Sequence, residues 1–303
     1  YAANGAFEPF LAIFLIQQGF SAGLVGLIAG LQPFAMSLAT PLWTSFADRL
    51  HSHAYAATIS AVSAALLCPL VAIASFTSSF PLTCLTALLM AAARAPLPAL
   101  LDAVAMKSPQ GPEAYGSLRI WGGLGYAISG LISGALQQSS TPKIPFLLYP
   151  LFLFSALVFI RGALSMVSLA PTSSQTVSSQ QKSSMVGDVL RFAARPGAKP
   201  FLVIVLLMGI THSIVNVVVP VFLSSNLHAP GFIIGMSLVC AFISEAPSFL
   251  SSKCLIAIPS VGPLKLITMA HWGTVVRMLL YSLSAFAASS VLSVATKDTP
   301  QPW

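Results

Sequence analysis

The sequence predicts an all-α polytopic membrane protein, and three observations point there. Of 303 residues, 56% are hydrophobic and only 7% charged, against about a quarter charged in a soluble domain. Apolar runs near the length that crosses a ~30 Å hydrocarbon core as a helix recur along the whole chain. None alternates apolar and polar residues as the strands of a membrane barrel do. The 14 Lys and Arg outnumber the 7 Asp and Glu but form no basic patch, so nucleic acid is not an expected partner. Cys68, Cys84, Cys240 and Cys254 show no CxxC spacing and no neighbouring histidine pair. They read as packing residues, and neither a metal nor a cofactor is expected.

Nine spans are expected, in order. Tyr1 to Ile16, Ala22 to Phe46, Ala54 to Phe76 and Phe80 to Met106 are separated by short polar breaks at Gln17-Gln18, Asp48-Arg49 and Thr77-Ser78-Ser79. Leu118 to Leu136 and Ile144 to Leu169 follow, parted by a polar stretch containing Pro142 and Lys143. Pro200 to Leu223, Gly231 to Phe249 and Leu264 to Ala288 complete the set. Between the sixth and seventh lies a longer connection, 170–199, whose first half is mostly Ser, Gln, Thr and Val and cannot build a core. Its second half, Gly187 to Arg195, could form a short amphipathic helix with Arg191 and Arg195 facing anionic lipid. A solvated linker fits equally well. The division expected is therefore a six-span bundle at 1–169, a flexible cytoplasmic loop at 170–199 and three spans of a second bundle at 200–303.

The chain opens at Tyr1 inside an apolar run and closes with a polar tail after the ninth span; the expectation is that both ends belong to a longer chain. Orientation follows from the basic residues, which concentrate in cytoplasmic loops. If the first helix runs outward, ten of the 14 lie at inner loops and helix ends, while only Lys143 and Lys297 lie outside.

Charges inside spans carry the functional signal, because each costs at least ~2.5–3.5 kcal/mol at mid-membrane unless paired or wetted. Glu8, Arg94, Asp102, Arg119, Glu245 and Arg277 are the six such residues. Three acids and three bases suggest ion pairs between facing helices, as a central cavity or structural salt bridges would both require. Asp102 and Arg119 lie near enough to a span end to snorkel. Arg277 is thirteen residues into its span, ~20 Å along the helix, and needs a partner or water. Pro9, Pro96, Pro98 and Pro247 stand beside these charges, and each removes a helical hydrogen bond. His212 and His271 could relay protons, although packed, hydrogen-bonded histidines are the commoner case.

These residues reach a family. The run Pro41-Leu-Trp-Thr-Ser-Phe-Ala-Asp48-Arg49 resembles the inner-loop motif of the major facilitator superfamily, departing from it at Thr44, where the pattern has glycine. Tyr115-Gly-Ser-Leu-Arg119-Ile-Trp121-Gly-Gly-Leu-Gly-Tyr126, Glu245-Ala-Pro247 and Arg277-Met-Leu-Leu-Tyr281 are similar to the branch of lactose-permease-like oligosaccharide and nucleoside proton symporters. The resemblance implies a two-bundle architecture with helices one to nine of twelve present. It further implies that Asp102, Arg119 and Tyr126, with Arg94, contact solute. Glu8, Glu245 and Arg277 would serve proton coupling, and Asp48 with Arg49 would form a gate. The function it implies is secondary-active transport of a small polar solute such as a sugar, nucleoside or organic acid. Protons, the solute and the bilayer would be its partners, and the protein would be a monomer. A membrane enzyme is not expected, since there is neither a His-Glu-x-x-His pattern nor a Gly-x-Ser-Gly one. A non-transporting receptor or assembly protein on the carrier fold, or an inactive truncated product, remains the alternative.

Overall fold

The computed structural model describes residues 1–50, 52–107, 111–139, 143–169, 191, 194–195, 197–258, 265, 268–269, 272–273 and 275–283. Among these, every regular element is an α-helix: α1 (Ala2–Gln17), α2 (Ala22–Arg49), α3 (His53–Phe76), α4 (Phe80–Arg94), α5 (Pro96–Lys107), α6 (Gly111–Ser139), α7 (Ile144–Leu169), α8 (Ala198–Ser225) and α9 (Gly231–Ala257). Helical residues 275–283 fall within the expected ninth span, and most of the 170–199 connection, with His271, lies outside the described residues.

Local chemistry explains the boundaries. Gly19 adopts φ 89° between α1 and α2, a left-handed conformation that a side chain would strain. The Ser52 side chain caps α3 by accepting the Tyr55 amide at 3.2 Å, meeting one of the free donors of the first turn. The α6 helix begins at Gly111, seven residues before the expected Leu118, because Pro112 in a first turn loses no hydrogen bond the helix would otherwise make. The expected fourth span is one apolar stretch but two helices, with Ala95 between α4 and α5. Pro96 and Pro98 withhold the amide donors that would carry the ladder through.

Among the described residues, five stretches are long and apolar enough to cross a bilayer: Ala22–Ala47, Tyr55–Phe76, Phe80–Asp102, Ala198–Ser225 and Gly231–Ser251. Ala2–Gln17 and Ile144–Phe159 are apolar but shorter. The chain divides into two compact units, Tyr1–Pro247 and Ser248–Trp303.

Within the first unit α1 is the central post, packed against α2, α6, α7 and α8. It is apolar on all sides, as a helix enclosed by others should be. The Phe14 and Phe146 rings pack tilted with centroids 4.4 Å apart, and Phe7 lies 5.3 Å from Phe146 and 5.2 Å from Tyr149. Such pairs add ~0.5–1.5 kcal/mol each beyond the area they cover. Close backbone approach does the rest, since lipid supplies no hydrophobic drive between helices. A Cβ on Gly5 of α1 would stand 2.1 Å from the Tyr126 carbonyl oxygen of α6, and one on Gly134 of α6 would stand 2.1 Å from the Gly231 carbonyl of α9. The Ser133 hydroxyl donates to the Ala6 carbonyl at 2.8 Å, tying α6 to α1. Outward faces carry large apolar side chains such as Leu42, Leu147, Phe159 and Leu206. In water they would form an aggregating surface, whereas hydrocarbon solvates them.

Candidate functional site

The site grows from the broken fourth span. At the end of α4, Arg94 forms an ion pair through its Nη1 with Glu8 Oε1 of α1. Its Nη2 donates to Gln32 Oε1 of α2 at 3.3 Å. On the other side of the break, Asp102 of α5 accepts from Arg119 Nη1 of α6 at 3.3 Å. It also accepts from the Tyr1 hydroxyl at 3.5 Å, and the Tyr115 hydroxyl is bonded to it as well. The Arg119 guanidinium lies over the Tyr1 ring, 4.4 Å from its centroid, where the ring's negative face attracts it.

The two pairs differ in what they can do. The Arg94 and Glu8 side chains are 7% and 29% exposed, so the charges are withdrawn from solvent and must neutralise each other. Those of Arg119 and Asp102 are 33% and 38% exposed, leaving donors and acceptors open to a polar molecule. Tyr126 stands within electrostatic reach of Glu8, Arg94 and Glu245. Fully buried Tyr149 lies within reach of Arg94 and Glu8. Arg94 Nε and the Tyr149 hydroxyl have no hydrogen-bond partner among the described groups, leaving an N–H donor and a hydroxyl inside the bundle that water or a polar molecule can meet.

The structure thus brings together Glu8, Arg94, Asp102, Arg119 and Tyr126 of the residues singled out in the sequence. Arg94 is committed to Glu8 and Gln32, so direct contact with a solute would require Glu8 to release it. The aromatic plate beside Arg119 is Tyr1, whereas Tyr126, seven residues on, lies within electrostatic reach of Glu8 and Arg94. Glu245 in α9 is exposed. In the second unit, Arg277 Nε donates to the Tyr281 hydroxyl at 3.4 Å, with the guanidinium 5.6 Å from that ring. Arg49 is exposed in the last turn of α2, and the side chains of Asp48 and His212 lie outside the described residues. Sequence reasoning missed Tyr1, Gln32, Tyr115 and Tyr149; a neutral polar residue in an apolar helix carries no signal until its neighbour is known. Among the described residues no His, Cys, Asp and Glu cluster is placed to hold a metal ion.

An all-helical chain with apolar outer faces and ionised side chains paired in its interior is an integral, multi-pass membrane protein. Residues 1–296 match the MFS_1 like family, and the chain belongs to it; this is a family of membrane transporters, not of enzymes. The maltose permease of Geobacillus stearothermophilus is 30% identical over 159 residues, which cover 52% of this chain and 39% of that protein. The chain therefore matches about two-fifths of the length of that curated relative. No solved structure matches it.

Proposed function

We propose that the protein carries a small polar solute across its membrane in symport with protons, by alternating access of two helical bundles around a midplane site. The observation that carries this is the pair of carboxylate–arginine contacts on the two sides of one broken helix: enclosed Glu8–Arg94, and more open Asp102–Arg119. In this reading Asp102, Arg119 and Tyr1 form the solute site, a bidentate donor and acceptor set beside an aromatic face suited to hydroxyl-bearing molecules. Glu8 is the proton acceptor. Its protonation removes the charge that holds Arg94 and frees the guanidinium to turn toward solute. Tyr126 links this centre to Glu245, which with Arg277 serves coupling from the second bundle, while Asp48 and Arg49 gate the inner side. The bundle boundary falls in 170–199, and the protein works as a monomer. The relative's name makes a disaccharide such as maltose the first solute to try.

The test is uptake into proteoliposomes holding the purified full chain, with radiolabelled maltose and uridine as probes and an imposed inward proton gradient. Accumulation above equilibrium is expected for one of them. Glu8→Gln and Glu245→Gln should each abolish accumulation and retain solute exchange. Unchanged accumulation in either variant removes that residue from the mechanism. Binding of a probe without flux in the native protein would replace transport by a receptor role.

A further inference from the structure

The joint between α4 and α5 is held from outside its own helix. Pro96 has no amide proton to offer the Ala92 carbonyl four residues back, and Pro98 has none for Arg94. In hydrocarbon a carbonyl without a donor is strongly unfavourable, and freed backbone groups persist only where neighbours meet them. Of these, the Ala92 carbonyl is met from another helix, and the adjacent Ala93 carbonyl receives a donor from a third. Trp43 Nε1 of α2 donates to the Ala92 carbonyl at 2.9 Å, and the Ser60 hydroxyl of α3, fully buried, donates to the Ala93 carbonyl at 2.6 Å. Trp43 is itself braced edge-on against Phe46, with centroids 5.8 Å apart.

The joint separates the two charge pairs. Arg94 precedes it on α4, and Asp102 follows seven residues beyond Ala95, or about 10 Å along α5. A change of ~20° in the bend, the size of an ordinary proline kink, would move Asp102 by ~3–4 Å. That is enough to part it from Arg119, now 3.3 Å away. We propose that Trp43 and Ser60 are positioning residues: by capping the carbonyls of Ala92 and Ala93 they set the bend that keeps Arg94 on Glu8 while presenting Asp102 to Arg119. The role in solute binding rests on the transport reading above, whereas the capping of the joint does not.

Two measurements on the full chain separate these. Spin labels at Leu85→Cys and Lys107→Cys, in a background lacking Cys84, Cys240 and Cys254, report the α4–α5 bend as a distance distribution. A single narrow distance is expected for the native chain and for Ser60→Thr, which keeps a hydroxyl. Broad or shifted distributions are expected for Ser60→Ala, for Trp43→Phe, which keeps the ring but loses the donor, and for their combination. In proteoliposomes with maltose or uridine, whichever is carried, Ser60→Ala and Trp43→Phe should raise KM several-fold with Vmax within about twofold, and Ser60→Thr should restore KM. A native distance distribution in the combined variant overturns the proposal, as does a Ser60→Thr variant indistinguishable from Ser60→Ala. If the native chain moves neither probe, the transport reading falls, and the distance measurement alone decides the role of the caps.

Discussion

At the scale of single residues, the decisive fact is that Arg94 and Glu8 satisfy each other where water is scarce. Removing one partner leaves a buried charge unpaired, a change worth ~3–5 kcal/mol, whereas removing both can be nearly neutral. Arg94→Gln should therefore lower the thermal stability of the detergent-solubilised protein far more than the double variant Glu8→Gln/Arg94→Gln. A double-mutant cycle measured by thermal unfolding checks this; additive effects would mean the two side chains do not interact in the native state. The Asp102–Arg119 pair, being more than a third exposed on one side, should contribute less than ~1 kcal/mol. Asp102→Asn is thus expected to weaken probe binding severalfold with little change in stability, a combination that equilibrium binding and thermal unfolding together detect.

At the scale of elements, small residues decide how closely the helices approach. Gly5 lets α1 reach the backbone of α6 at Tyr126, and that contact places Glu8 and Tyr126 in one neighbourhood. Gly5→Leu should push α1 away, since the nearest obstacle is a carbonyl oxygen rather than a flexible side chain. Loss of folded protein, read by size-exclusion chromatography in detergent, is the expected outcome. A Gly5→Leu protein with native elution and melting would show that the helices can part there without penalty. The proline joint is the other lesson at this scale. Apolar length alone reads 80–106 as one helix, and Pro96 and Pro98 warn of a bend. Only the tertiary neighbours show that Trp43 meets the Ala92 carbonyl freed by Pro96 and that Ser60 donates to the adjacent Ala93 carbonyl.

At the scale of the whole molecule, the basic residues set the expected orientation. With the start of α1 inside, the loop holding Lys143 faces outward and that after Lys107 faces the cytoplasm. Single cysteines placed at each position, in a background lacking the exposed Cys240 and Cys254, should react differently with a membrane-impermeant maleimide in intact cells. Lys143→Cys should label at once, and Lys107→Cys only after permeabilisation. The opposite pattern would invert the molecule and exchange its inner and outer gates.

Much of this architecture was legible in the chain because its cause is local. Apolar length measured against bilayer thickness, proline and polar breaks, and the rarity of charge specify helices, their approximate ends and their solvent without reference to any neighbour. The same scarcity made Glu8, Arg94, Asp102 and Arg119 conspicuous, because an ion in hydrocarbon demands an explanation wherever it occurs. Which acid meets which base was not local. Folding pairs Arg94 with Glu8 and sets the Tyr1 ring beside Arg119. The neutral partners, Gln32, Ser60 and Trp43, were invisible for the same reason. A hydroxyl, amide or indole in an apolar helix acquires its role only when folding brings an unmet carbonyl or guanidinium within hydrogen-bond distance.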